Sequence, residues 1–199
     1  MQNASITQHL IRANDSILLI IDVQDSFLAK LPQEKAVSVV ERIGLLMDVA
    51  SVLDIPVICT AEEIPIMGGM TPKLLDRLPP AAKVYDKMIF NLADQPDIIA
   101  AVLSSGRKTA ILTGLETDVC VAQSALGLIS AGFSVVAVAD ACASPGDSHQ
   151  AGLKRIESAG GLISTVKSLY YEWIRTVELG NQFSSGRYNW IKRPDGIVF

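Results

Sequence analysis

The stretch Ala110 to Ser144, AILTGLETDVCVAQSALGLISAGFSVVAVADACAS, constrains the fold more than any other part of the chain. Ala110 to Leu112 is an apolar run short enough for a buried strand. Gly114 is expected to break it, and Thr117-Asp118 offers side chains able to cap a following helix. Val121, Ala125, Leu128 and Ile129 recur at helical spacing, Gly132 closes the element, and Val135 to Ala139 reads as a second buried strand. The result is one βαβ unit that puts Cys120 in the first helical turn, on the carboxyl side of a strand, where open α/β sheets place their ligands. There the helix dipole and its unpaired N–H groups are expected to lower the thiol pKa and to stabilise an oxyanion. A buried structural thiol is the commoner fate of a lone cysteine. Cys120 therefore needs partners before it counts as a nucleophile.

Two other segments supply them. Ser16 to Ile21, SILLII, reads as a central strand buried on both faces, and it ends at Asp22. A carboxylate ending an apolar strand is costly without a partner or a task. Lys83 to Lys87, KVYDK, reads as a further strand that ends in a cation before Met88-Ile89-Phe90. A surface lysine is the default for that residue type. Opposite charges at two strand ends, joined by a thiol at a third, make coincidence a poor account.

Between and after these runs the chain alternates in the same way. Gln33 to Leu53 carries a helical apolar stripe, and Ile55 to Thr60 is a strand with Cys59 as a core residue. Ala61 to Met70, AEEIPIMGGM, is either a solvated loop or a mobile pocket wall with Glu62 as a polar contact. Thr71-Pro72 starts a short helix, Gln95 to Ser105 and Asp147 to Ala159 are helices, and Leu162 to Val166 is the last strand. Residues 1–15 read as a surface lead-in. Leu169 to Leu179 reads as a C-terminal helix, followed by an aromatic tail expected to pack on this chain or a neighbour. Six strands alternating with helices predict an α/β fold. It is a single doubly wound, Rossmann-like three-layer domain over residues 1–199 with a mostly parallel six-stranded sheet, its core at 16–166 and the C-terminal helix and tail at 167–199.

Composition narrows the function. With 49% hydrophobic and 19% charged residues the chain is expected to fold, and no apolar run approaches the roughly 20 residues of a membrane span. A net charge of −4 without a basic cluster argues against nucleic acid. Three cysteines, an odd number without metal or redox spacing, and no secretory leader point to a reducing, cytoplasmic setting. Only His9 and His149 are available to metal or Ser-His-Asp chemistry. The segment after the first strand, Asp-Val-Gln-Asp-Ser-Phe, lacks the glycines of a dinucleotide or P-loop site.

Taken in order, IIDVQDSF with Asp22, YDKMIF with Lys87, GLETDVCV with Cys120 and the closing DACAS resemble the isochorismatase-like cysteine hydrolases over nearly all of residues 16–166. The resemblance implies an Asp22-Lys87-Cys120 triad. Asp22 takes the thiol proton, Lys87 holds the thiolate, and Cys120 attacks an amide-like carbonyl to give a thioester. It also implies a cis Leu115–Glu116 peptide and an oxyanion hole from the N–H groups of Glu116 and Cys120. The metal site of nicotinamidases needs histidines after the second strand; AEEIPIMGGM has none, so neither metal nor other cofactor is expected. The expectation is a metal-independent hydrolase of a small amide, forming a homo-oligomer. Phe27, Glu62, Ile64, Phe90 and Leu115 would form its substrate pocket. The rival is a non-catalytic binding or redox-responsive scaffold that kept the thiol.

Overall fold

The computed structural model describes residues 10–199; His9 and most of the expected lead-in lie outside the described residues. Among the described residues six strands, β1 (Ser16–Ile21), β2 (Val57–Glu62), β3 (Lys83–Lys87), β4 (Thr109–Leu115), β5 (Ser134–Ala143) and β6 (Leu162–Ser164), form one sheet in the order β3-β2-β1-β4-β5-β6. Every pairing is parallel, so the expected mostly parallel sheet is wholly so.

The helices are α1 (Asp25–Leu28), α2 (Gln33–Val52), α3 (Ile64–Met67), α4 (Pro72–Leu75), α5 (Pro96–Ser104), α6 (Ala122–Ser130), α7 (Ser148–Ser158), α8 (Val166–Ile174) and α9 (Val177–Ser184). Strand periodicity divides them between two layers. Leu18 and Ile20 pack with Val39, Ile43 and Met47 of α2 and with Leu169 and Trp173 of α8. Ile17, Leu19 and Ile21 point the other way, into a core shared with α5, α6 and α7. Burial on both faces is why β1 is apolar without interruption.

The order of strands fixes where the site lies. From β1 the chain runs outward through β2 and β3 on one side, then returns to place β4 on the other. Such a reversal leaves a crevice beyond the carboxyl ends of the strands. Three expectations about local structure are corrected. Gly114 does not end its strand: β4 runs through it to Leu115, with a register shift against β5 between Leu112 and Gly114. The loop after β2 is partly regular, since β2 extends to Glu62 and α3 follows. The C-terminal helix is two helices, separated where Arg175 takes a φ of 64° and Thr176 caps α9 by accepting from the Leu179 N–H at 3.1 Å.

Of the two expected resting places for the aromatic tail, its own chain takes most of it. Phe183 is buried, and the rings of Phe183 and Phe199 meet Tyr170 edge-on at 5.7 and 4.7 Å. Trp190 is the exception at 58% exposed.

Candidate active site

Asp22 follows the last residue of β1 and takes a φ of 52°, a left-handed conformation that aspartate tolerates better than most residues. Its Oδ1 accepts from Thr60 Oγ1 at 2.8 Å and its Oδ2 lies 2.9 Å from Lys87 Nζ. Lys87 ends β3 and is wholly buried, contrary to the default for a lysine, and its Nζ also donates to the Ile89 carbonyl at 3.2 Å. Two strands separate β3 from β4. The lysine side chain bridges that width: Nζ stands 3.5 Å from Cys120 Sγ. The structure thus gathers the three residues singled out from sequence into one contact set.

A fourth residue joins them. Glu62, paired in register with Lys87, brings Oε2 to 3.4 Å from Cys120 Sγ and 3.8 Å from Lys87 Nζ. Gln24, fully buried, holds it there through the backbone: its Oε1 accepts from the Glu62 N–H at 2.6 Å, and its Nε2 donates to the carbonyls of Glu62 at 2.8 Å and Gly68 at 2.6 Å. Sequence alone offered Glu62 only as a pocket contact. It missed Gln24 and Thr60, although Gln24 stands inside the IIDVQDSF segment and Thr60 near the end of the expected strand.

Cys120 sits in a π-helical turn, Thr117–Val121, immediately ahead of α6. The capping expectation fails here, because neither side chain caps the helix. Thr117 Oγ1 instead pairs with His149 Nδ1 at 2.8 Å, and Asp118 Oδ1 accepts from Ser144 Oγ at 2.6 Å. Helix α7 presses on this turn so closely that a Cβ at Gly152 would lie 2.7 Å from Asp118 N. The Leu115–Glu116 peptide is cis, and the Glu116 carboxylate pairs with Lys30 at 3.0 Å on the surface.

Electrostatics correct another expectation. Burial, then the Asp22 carboxylate, push the Cys120 thiol up, and Lys87 only partly opposes them. The helix dipole acts the other way, and the cost of a sulfur anion at 4% exposure beside a carboxylate outweighs it. Asp22 is likewise raised by burial, against the pull of Lys87. Burial alone would lower the Lys87 ammonium, but Asp22, Cys120 and Glu62 together raise it, so it stays charged. These shifts favour a protonated thiol beside a charged ammonium in the resting site.

The ligand atoms of Asp22, Glu62 and Cys120 lie within 4.8 Å of one another, a spacing that also suits a metal ion. Lys87 Nζ already stands among all three and supplies the positive charge such an ion would bring. Of the residues expected to line a pocket, Phe27 and Leu115 are buried in the core beneath α2. Ile64 is half-buried, and Phe90 is 51% exposed with its ring centroid 5.9 Å from Lys87 Nζ.

Residues 16–168 match the family model of the isochorismatase domain. The secreted isochorismatase effector Isc1 of Phytophthora sojae is 30% identical over 167 residues, which cover 80% of this chain and 77% of that protein. The octameric YcaC hydrolase of Escherichia coli, of unknown specificity, is 27% identical and superposes with a TM-score of 0.77 over 91% of this chain and 93% of its own. YcaC of Pseudomonas aeruginosa, solved with hexane-2,5-diol and covalent acrylamide, is also 27% identical, with a TM-score of 0.78 over 94% and 96% of the two chains. A six-stranded parallel α/β sheet, a strand-end cluster of acid, ammonium and thiol, and these likenesses agree: the chain belongs to the isochorismatase domain family of hydrolases.

Proposed function

We propose that the protein is a metal-independent cysteine hydrolase that cleaves the C–N bond of a small amide through a thioester. The observation that carries this reading is the buried ammonium of Lys87, 2.9 Å from Asp22 and 3.5 Å from Cys120 Sγ. A carboxylate raised by burial is a stronger base than a solvated one, and a fixed cation beside the sulfur offsets the charge that forms as the proton leaves.

In this reading Asp22 accepts the Cys120 proton as Sγ attacks the carbonyl carbon. The N–H groups of Glu116 and Cys120 receive the oxyanion. As the C–N bond breaks, Asp22 returns the proton to the departing nitrogen, leaving the acyl group on sulfur. Phe90, half-exposed beside Lys87, is the pocket residue placed to meet the substrate.

The protein works as a homo-oligomer in this proposal, in keeping with the octamer of E. coli YcaC. Its three buried, free cysteines suit a reducing, cytoplasmic compartment. The test is a panel of small primary and N-substituted amides, read by release of ammonia or amine. Catalytic release that vanishes in Cys120→Ala supports the reading, whereas release that survives in that variant removes it. Light scattering of the purified chain checks the assembly, and a monomer would exclude it.

A further inference from the structure

With the amine gone, hydrolysis of the thioester needs a base that can meet incoming water. Asp22, free again once its proton has left with the nitrogen, is the more enclosed candidate. It is 1% exposed and gripped by Thr60 and Lys87, and a water must reach the acyl carbon from outside. Glu62 differs in this respect. Its side chain is 22% exposed, yet its Oε2 is 3.4 Å from Sγ, within reach of both solvent and the atom that carries the acyl group. Two carboxylates in unlike surroundings around one reacting atom are the usual structural sign of divided acid–base roles.

We propose that Glu62 is the general base of the second half-reaction, an assignment that rests on the thioester reading above. Glu62 takes one proton from a water as the water oxygen bonds to the acyl carbon. The C–S bond then breaks, the carboxylic acid forms, and Glu62 gives its proton to Sγ. Water is consumed, the thiol is restored and no redox partner is needed. The Sγ–Oε2 contact in the resting structure is the path for that last transfer. Lys87, 3.8 Å from Oε2 and 2.9 Å from Asp22, is the cation common to both carboxylates. The double clamp from Gln24 acquires a purpose: it fixes the backbone of a side chain that must meet both water and sulfur.

The experiment uses p-nitrophenyl acetate as an acyl donor, stopped-flow absorbance for p-nitrophenolate, and intact-mass spectrometry for acetylated Cys120. The wild-type chain should release a burst equal to the enzyme present and then turn over steadily. In Glu62→Gln the burst should stay within about twofold, while the steady rate falls about 100-fold and acetyl-Cys120 accumulates. Glu62→Asp, which keeps the carboxylate, should recover part of the steady rate, and it decides the matter if the Gln variant fails to fold. An unchanged steady rate in both variants overturns the proposal. So does a slowed burst with normal deacylation, which would place Glu62 in the first half-reaction. Failure of the wild-type chain to form acetyl-Cys120 is a different result, and it removes the thioester reading itself.

Discussion

A Cβ at Gly114 would lie 2.0 Å from the carbonyl oxygen of Ile21, the last residue before Asp22. Strands β4 and β1 pair at these two residues, and Gly114 adopts a φ of 118°. The glycine thus lets the strand that leads to Cys120 close against the strand that leads to Asp22.

Gly114→Ala should destabilise the protein by about 3 kcal/mol or more, since overpacking and an unsuitable backbone conformation add. Urea denaturation measures this directly. Wild-type stability in Gly114→Ala would refute the close approach of the two strands.

Lys87→Met and Asp22→Asn each leave one buried partner uncompensated. Each should cost about 3–5 kcal/mol, and the double variant should cost much less than the sum. A double-mutant cycle in urea checks it. Strict additivity would mean that the 2.9 Å pair contributes no coupling.

The raised thiol of Cys120 sets a pH dependence with a definite sign. Iodoacetamide labelling should climb from neutral into alkaline pH without reaching a plateau near neutrality. Removing an anion in Asp22→Asn should move the midpoint down, and removing a cation in Lys87→Met should move it up. Cys59 and Cys142, each pushed up to about 12 by burial, should stay unlabelled in the folded chain. Mass spectrometry of the labelled peptides gives all three answers.

Burial raises Asp22 above the ordinary carboxylate value of 3.8, so kcat/KM should fall on the acid side with a midpoint above that value. Linkage gives the matching stability effect. The folded chain holds this proton more tightly than the unfolded one. The stabilisation is therefore complete below pH 3.8 and is lost as pH rises through the folded value. An acid limb unchanged from that of a solvated carboxylate would show that Asp22 is not the base.

Gln24→Ala removes three hydrogen bonds from a fully buried side chain and leaves the Glu62 N–H and the Gly68 carbonyl without it. A loss of about 2–4 kcal/mol is expected in thermal or urea unfolding. Steady turnover should drop more than the initial burst, because Glu62 loses its seat while Asp22 and Cys120 keep theirs.

What the sequence disclosed follows from what is local. A short β-rich apolar run such as Ser16–Ile21 suits a doubly buried strand, and alternating helices then favour the layered α/β order. Asp22 and Lys87 were legible because a charge ends a strand there, and Cys120 because it falls in the first helical turn after a strand. The hydrogen bonds of Thr60 and Gln24 were not, since a threonine in a strand and a glutamine in a loop are unremarkable until a partner is known. The direction of the thiol shift was misjudged for a similar reason. The dipole can be inferred from a helix start, whereas the dry carboxylate beside the sulfur arrives from another strand. The split of the C-terminal helix at Arg175 had no glycine or proline to announce it.

Lys87, Glu62, Asp22 and Cys120 follow or end β3, β2, β1 and β4, four consecutive neighbours in the sheet. No two of them come from the same strand, so the reactive group has no partial version. A chain that has not registered all four ribbons leaves the sulfur without its neighbouring ammonium and carboxylates.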